Sequence, residues 1–310
     1  MKRMQKQTRA MGKRTMASKL AYVKKNWQLY VFFLMPALIL TIIFKYLPMG
    51  GLLIAFEDYN VIKGVFGSTW VGLEYFKRFL SSPDFMNYLL NTLKLSIYGL
   101  LWGFPVPIIL ALLLNQIRKQ GIKKKIQLLI YAPNFVSVIV LCGMVRMFLS
   151  PVGPMNKLLG ISTNWMTMPA AFRTIYIASG IWQGAGWASI MYTAALSNAS
   201  KELEEAARMD GANLLQQVFA IKLPVIKPIL LTALSVRIID AARTFDIIWA
   251  MTEGGPNSSS ETISIIIYKT LTRYSDTGYA SAMAVVFIAV LVVFTLVFMQ
   301  SLWNPKKKNA

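Results

Sequence analysis

Long apolar stretches alternate with short polar ones along the whole of this chain. Residues 27–56, 88–114, 126–149, 170–196, 225–251 and 279–302 are each long enough, read as helices, to cross a hydrocarbon core, which takes ~20 helical residues. The pattern predicts an all-α polytopic membrane protein with six transmembrane helices. The second span holds Gly99, Gly103, Pro105 and Pro107, which permit close helix approach and a kink where neighbours re-satisfy the backbone. In the fourth, Gly180 and Gly184 form a G-x3-G pair, a spacing that marks tight helix packing.

Composition strengthens this picture. A length of 310 residues alone would allow about two soluble domains. With 55% of residues hydrophobic, 15% charged and a mean hydropathy of +0.50, the membrane class takes precedence. The expected organisation is a basic cytoplasmic tail over residues 1–26, a six-helix domain over 27–303 that includes a polar loop at 201–228, and a basic cytoplasmic tail over 304–310.

Charge fixes the expected orientation. Most of the net charge of +20 lies in short segments beside apolar runs, the first tail, residues 115–125 and Lys306, Lys307 and Lys308; the 201–228 loop adds Lys201, Arg208, Lys222 and Lys227, balanced by its own acids. The positive-inside rule places all four on the cytoplasmic face, together with both termini. Loops 57–87, 150–169 and 252–278 then face outward. Trp27 and Trp303 fit an interfacial aromatic belt, Lys45 snorkels to the outer interface, and Arg146 anchors the outer end of the third span. No nucleic-acid-binding motif accompanies the basic residues, so the partner they imply is the lipid bilayer. A secretory leader is the rival reading of the first tail and apolar run, but Lys45 and Pro48 follow that run instead of a small-residue cleavage site, so an uncleaved first span is expected.

Little of the usual catalytic chemistry is present. The chain has no histidine, and its single cysteine, Cys142, lies in an apolar run where it packs as a small hydrophobe. No G-x4-G-K-[ST] phosphate loop occurs, so no nucleotide hydrolysis, metal site or cofactor is expected in this chain.

The loop at 201–228, KELEEAARMDGANLLQQVFAIKLPVIKP, stands out as a polar helix-forming island between apolar segments. Glu202, Glu204 and Glu205 suit a helix N-terminus, and Ala206 and Ala207 are strong helix formers. Gly211 permits the positive-φ turn that ends the first helix, Asn213 caps a second, and Pro224 is expected to stop it. Taken alone, this is either an interfacial amphipathic hairpin or a docking element.

The four spaced elements EAA-x3-G-x9-I-x-L-P resemble the cytoplasmic coupling loop of ABC-importer permease subunits of the type I architecture, here Glu205, Ala206, Ala207, Gly211, Ile221, Leu223 and Pro224. Four further stretches are similar to the maltose-like carbohydrate permeases and their oligosaccharide and polysaccharide branch. They are TFDIIWAMTEGGPNSSSETISIIIYKT, ending at Thr270, NTLKLSIYGLLWGFPVPIILALLLNQIR, ending at Arg118, and the preceding FEDYN and WVGLEYF. The resemblance implies uptake of an oligosaccharide across a bacterial cell membrane. It also implies a second permease subunit, two copies of a cytoplasmic ATPase that bind the ATP and Mg, and an extracytoplasmic solute-binding protein. Glu205 would then pair with groove residues of the ATPase, Ala206 and Ala207 would allow close seating, Gly211 would set the bend, and Leu223 and Pro224 would fix the way into the fifth span.

Ionisable groups inside spans are functional candidates by default. Arg237, Asp240, Arg243 and Asp246 follow one another at three-residue spacing, which allows either internal pairing or a polar translocation path. Trp249 nearby, and Trp182, Gln183, Trp187 and Tyr192 in the fourth span, supply rings and hydrogen-bonding groups suited to a sugar or to the core. A permease for another solute shares the same loop, a secondary carrier would dispense with the ATPase, and an intramembrane enzyme lacks any recognisable catalytic pattern.

Overall fold

The computed structural model of the chain describes residues 24–241, 245–253 and 260–303, nearly all of them helical. The tails 1–23 and 304–310, Arg243 and the outer-loop residues 254–259 lie outside the described residues.

Helix α1, Trp27–Phe56, is apolar on every side, and Ala55 is its only buried residue. A π turn at Tyr30–Leu34 and another at Ile42–Tyr46 interrupt it, each separated by one residue from a proline, Pro36 and Pro48. Proline has no N–H and clashes with the carbonyl four residues back, and a widened turn relieves both problems without ending the helix.

Beyond the end of α1, β1 (Glu57–Asp58) and β2 (Thr69–Trp70) pair antiparallel, with Glu57 opposite Trp70. Helix α2, Glu74–Leu80, follows. It is clasped to the start of the last span by a 3.3 Å ion pair between Arg78 and Asp276, with the Arg78 guanidinium 4.2 Å from the centre of the Tyr279 ring. Gly278 seats against the Glu57 carbonyl and the Tyr75 ring, leaving no room for a Cβ. The Tyr75 hydroxyl donates to Asp58 Oδ1 at 3.3 Å. Burial, followed by the nearby carboxylates of Asp58 and Asp276, pushes the Tyr75 phenol up to about 12.

The second span consists of α3, Phe85–Gly103, and α4, Pro105–Gln116, running through Phe104 as one segment of 32 residues. The third expected span is not straight. Helix α5, Gln120–Tyr131, leads through a 3-10 turn at Ala132–Phe135 into α6, Val138–Phe148, with a bend of 97°. Pro133 lies in the turn, and Ser137 restarts the helix by accepting the Val140 N–H at 3.3 Å.

After α7, Pro154–Leu159, comes α8, Pro169–Leu196, whose 28 residues extend about 42 Å. It is less apolar than the helices that meet a membrane-spanning test on length and composition: Trp27–Phe56, Phe85–Gln116, Leu214–Asp240 and Thr277–Leu296, with the bent pair as a fifth. The six-span expectation therefore has four straight spans, one broken one and a long, more polar inner helix. That helix packs on α4 and, through Gly186, against the backbone of Ile130.

The fifth expected span is also divided. Helix α11, Leu223–Ala241, ends before α12, Asp246–Thr252, which begins at Phe245 with φ −134° and ψ −54°. Helix α13, Ile263–Arg273, and α14, Thr277–Trp303, complete the chain.

The core is distributed. Cys142, 1% exposed, packs with Leu95, Phe172 and Ile248 beneath the outer elements, as its apolar setting predicts. Ala111, Tyr192, Leu196 and Ile226 form a second cluster toward the 201–228 loop.

Candidate functional site: a polar joint and a glycine-lined cavity

The polar loop is built as anticipated up to its last step. Helix α9, Lys201–Met209, is capped by Ser200, whose Oγ accepts the Leu203 N–H at 3.3 Å, and Glu202 and Glu204 lie in its first turn. Gly211 has φ +80° and open space around it. The turn is closed by the Ala212 N–H on the Ala207 carbonyl at 2.8 Å. Asn213 caps α10, Leu214–Gln217, in a reciprocal box: its Oδ1 accepts from Gln216 N at 2.9 Å, and Gln216 Oε1 accepts from Asn213 N at 2.7 Å.

Pro224 does not stop the helix. A π turn at Val218–Lys222 carries α10 directly into α11, and one residue later Pro224 sits in the first turn of α11, the same arrangement as at Pro36 and Pro48. Residues Leu214–Asp240 thus form one continuous helix of 27 residues. Glu205, Ala206, Gly211 and Pro224 are exposed, whereas Ala207, Ile221 and Leu223 are half-buried. Leu223 packs on the inner core cluster. Leu203, Met209, Leu215 and Phe219 are all more than half exposed on this joint, so it presents an apolar surface beside Glu205.

One residue of the joint escaped the sequence. Lys222 is fully buried; its Nζ donates to Asn115 Oδ1 at 2.7 Å and lies 3.6 Å from Glu204 Oε2. A lysine in a polar loop reads as solvated, and nothing in the sequence pairs it with Asn115.

A cavity of about 220 Å³ opens among α3, α8 and α11. Gly99, Gly103 and Gly180 line it, and none of the three has an atom within 4 Å of where a Cβ would stand. Gly184 is equally open, so the Gly180–Gly184 pair does not pack tightly as its spacing predicts; the close approach falls at Gly186. Gln183, Arg237 and Asp240 supply the polar wall, and Gln183 Nε2 also donates to the Val136 carbonyl at 2.8 Å, satisfying backbone freed by the bend between α5 and α6.

The other expected path residues are dispersed. Trp182 lines a separate apolar groove with Leu141, Met144 and Phe148. Trp187 meets Phe135 edge to face at 6.0 Å, and Tyr192 is core. Asp246 is exposed at the start of α12, away from the α11 series, so the three-residue charge ladder does not run along one helix. Among the described residues the ion pairs do not include Arg237 with Asp240. Trp249 stacks with Phe245 and meets Tyr268 at 4.6 Å.

A helical bundle with several helices long and apolar enough to cross a membrane, a cavity among three of them and a continuous, partly apolar joint is the architecture of a membrane-embedded subunit. The chain belongs to the family of binding-protein-dependent transport system inner membrane components, whose model matches residues 103–308. It is 36% identical to Protein LplB of Bacillus subtilis (strain 168), covering 90% of this chain and 89% of that one. It is 35% identical to the polygalacturonan/rhamnogalacturonan transport system permease protein YteP of the same organism, covering 88% of each. Among solved structures, a chain of a bacterial alginate ABC transporter in complex with an alginate pentasaccharide-bound periplasmic protein superposes with a TM-score of 0.82 at 33% identity, covering 93% of this chain and 98% of that one.

Proposed function

We propose that this chain is one permease subunit of an ATP-driven importer that takes up an oligosaccharide delivered by a solute-binding protein. The observation that carries the proposal is the joint at 201–228. An exposed docking helix, α9, is turned at Gly211 and joined without a break to a 27-residue helix that enters the apolar bundle. Such a joint transmits force because neither its turn nor its continuation has a loose link. Its motor belongs to a separate protein, since the chain carries no phosphate loop. Two copies of a cytoplasmic ATPase, holding ATP and Mg, would seat α9 through Glu205, Ala206 and Ala207.

The joint faces the cytoplasm on the strength of its basic surroundings, with both termini on the same side and α8 as the fourth of six spans. The cavity of about 220 Å³ is below the ~300 Å³ at which small-molecule sites begin, which agrees with half a site completed by a second permease. Of the expected path residues, Gln183 and Asp240, together with Arg237, line this half. The oligosaccharide assignment draws on the polygalacturonan/rhamnogalacturonan system named for YteP and on the transporter of the acidic polysaccharide alginate.

The test is uptake into proteoliposomes holding the chain with its second permease and ATPases. Vanadate-sensitive uptake of an oligosaccharide, dependent on the binding protein and abolished by Gly211→Val, is the expected result. Vanadate-insensitive uptake by this chain alone would overturn the proposal, and exclusive uptake of a non-sugar solute would overturn its substrate.

A further inference from the structure

Lys222 occupies the variable position of the I-x-L-P element, and the assignment of the coupling loop gives it no role. Its side chain is 1% exposed, although it belongs to a polar loop. Taking an ammonium out of water is costly unless partners replace the solvent. Here the partners come from two different elements. Asn115 Oδ1, at 2.7 Å, stands in the last turn of α4, where free carbonyls favour a cation. Glu204 Oε2, at 3.6 Å, stands in the first turn of α9. Lys222 itself ends the π turn that leads into α11. One buried charge therefore ties the docking helix to the inner ends of two spans.

We propose that Lys222 is a positioning residue, a strut that makes α9, α4 and α11 move as one body when the ATPase closes. Without it, α9 would be joined to the bundle through the backbone on either side of it, to α8 across residues 197–200 and to α11 through α10, and this tie to α4 would be lost. The proposal rests on the coupling reading of this loop and adds to it a route into α4.

The experiment uses the complete reconstituted complex and reads ATP hydrolysed per solute transported. Lys222→Met removes the charge and keeps the length, and Glu204→Gln removes the charge of its partner. Each is expected to raise the ATP cost about fivefold or more, the scale of coupling changes caused by residues between two sites. The double variant should cost no more than the worse single one, since both disrupt one interaction. Lys222→Arg should restore at least half of the lost coupling.

A fall in transport and ATP hydrolysis in equal proportion to assembled complex would reduce Lys222 to a structural residue and overturn the strut, as would an unchanged ATP cost. If Lys222→Met does not assemble, Glu204→Gln decides by the same readout. Glu205→Lys, on the exposed face of α9, separates the two levels. If it leaves assembly and ATP cost unchanged, the coupling reading falls; if it raises the cost while Lys222→Met does not, only the strut falls.

Discussion

A Cβ on Gly186 would run into the carbonyl oxygen of Ile130, so α8 and the end of α5 meet backbone to backbone at this one residue. Gly186→Ala must push the elements apart or distort them, and it should destabilise the purified subunit by about 1–3 kcal/mol, as overpacking does. Gly180→Ala and Gly184→Ala add a methyl group to open space and should shift stability by no more than ~0.5 kcal/mol. Thermal unfolding in detergent compares the three directly.

Gln183 performs a structural task beside its place on the cavity wall. Its amide donates to the Val136 carbonyl at 2.8 Å, within the bend that breaks the third span. Gln183→Leu leaves that carbonyl without its partner and should cost about 1–2 kcal/mol, the range of interhelical hydrogen bonds in membranes. Unfolding by graded denaturant is the measurement.

Gly211 tests the turn apart from the docking face. At φ +80° a β-branched side chain is strained by about 1–2 kcal/mol or more, whereas asparagine tolerates this region. Gly211→Val should abolish coupled transport while Gly211→Asn retains most of it. No atom lies within 4 Å of where a Cβ at this position would stand, so the difference between the two variants reports chiefly on backbone conformation.

How much of this was legible in the sequence follows from the range of the forces involved. The cap at Asn213 and the glycine turn at Gly211 depend on residues within a few positions, and both were readable. The apolar runs announced the spans because burial in lipid acts on average composition. The breaks were harder. Pro224 reads as a terminator by local rules, yet a π turn just before it lets the helix continue, as at Pro36 and Pro48. The split between α11 and α12, and with it the loss of the charge ladder, depends on packing of α12 on α6, far away in sequence. Lys222 with Asn115, 107 positions apart, had no local sign at all. The cavity was half legible: its glycines and charges were visible, but their convergence from three helices was not.

Arg237 on the cavity wall makes a claim about substrate charge. If the passenger is a uronate oligosaccharide, Arg237→Gln should slow its transport about tenfold or more, the scale of a lost hydrogen bond to a charged group. A neutral oligosaccharide of equal length should be affected far less. Competitive uptake of the two by the same proteoliposomes gives the ratio.

Tyr75 gives the outer face a dependence on alkaline pH. Its phenol is held up to about 12 in the folded chain, against about 10 when unfolded. The folded state therefore binds the proton more tightly, so the stabilisation is complete below pH ~10 and is lost as pH rises through about 12. Melting of the purified protein should show this decline between those limits, and Tyr75→Phe, which cannot ionise, should flatten it.

The clasp between α2 and the start of α14 bears on how the protein is made. Residues Tyr75, Arg78 and Phe79 leave the ribosome well before Asp276, Gly278, Tyr279 and Met283, which cover them. Until the final helix is inserted, the first outer loop has a bare phenylalanine and an arginine without its carboxylate. A chain stalled before α14 would keep that surface uncovered. The same ion pair and glycine seat thus form only once both elements, 198 positions apart at Arg78 and Asp276, have been made.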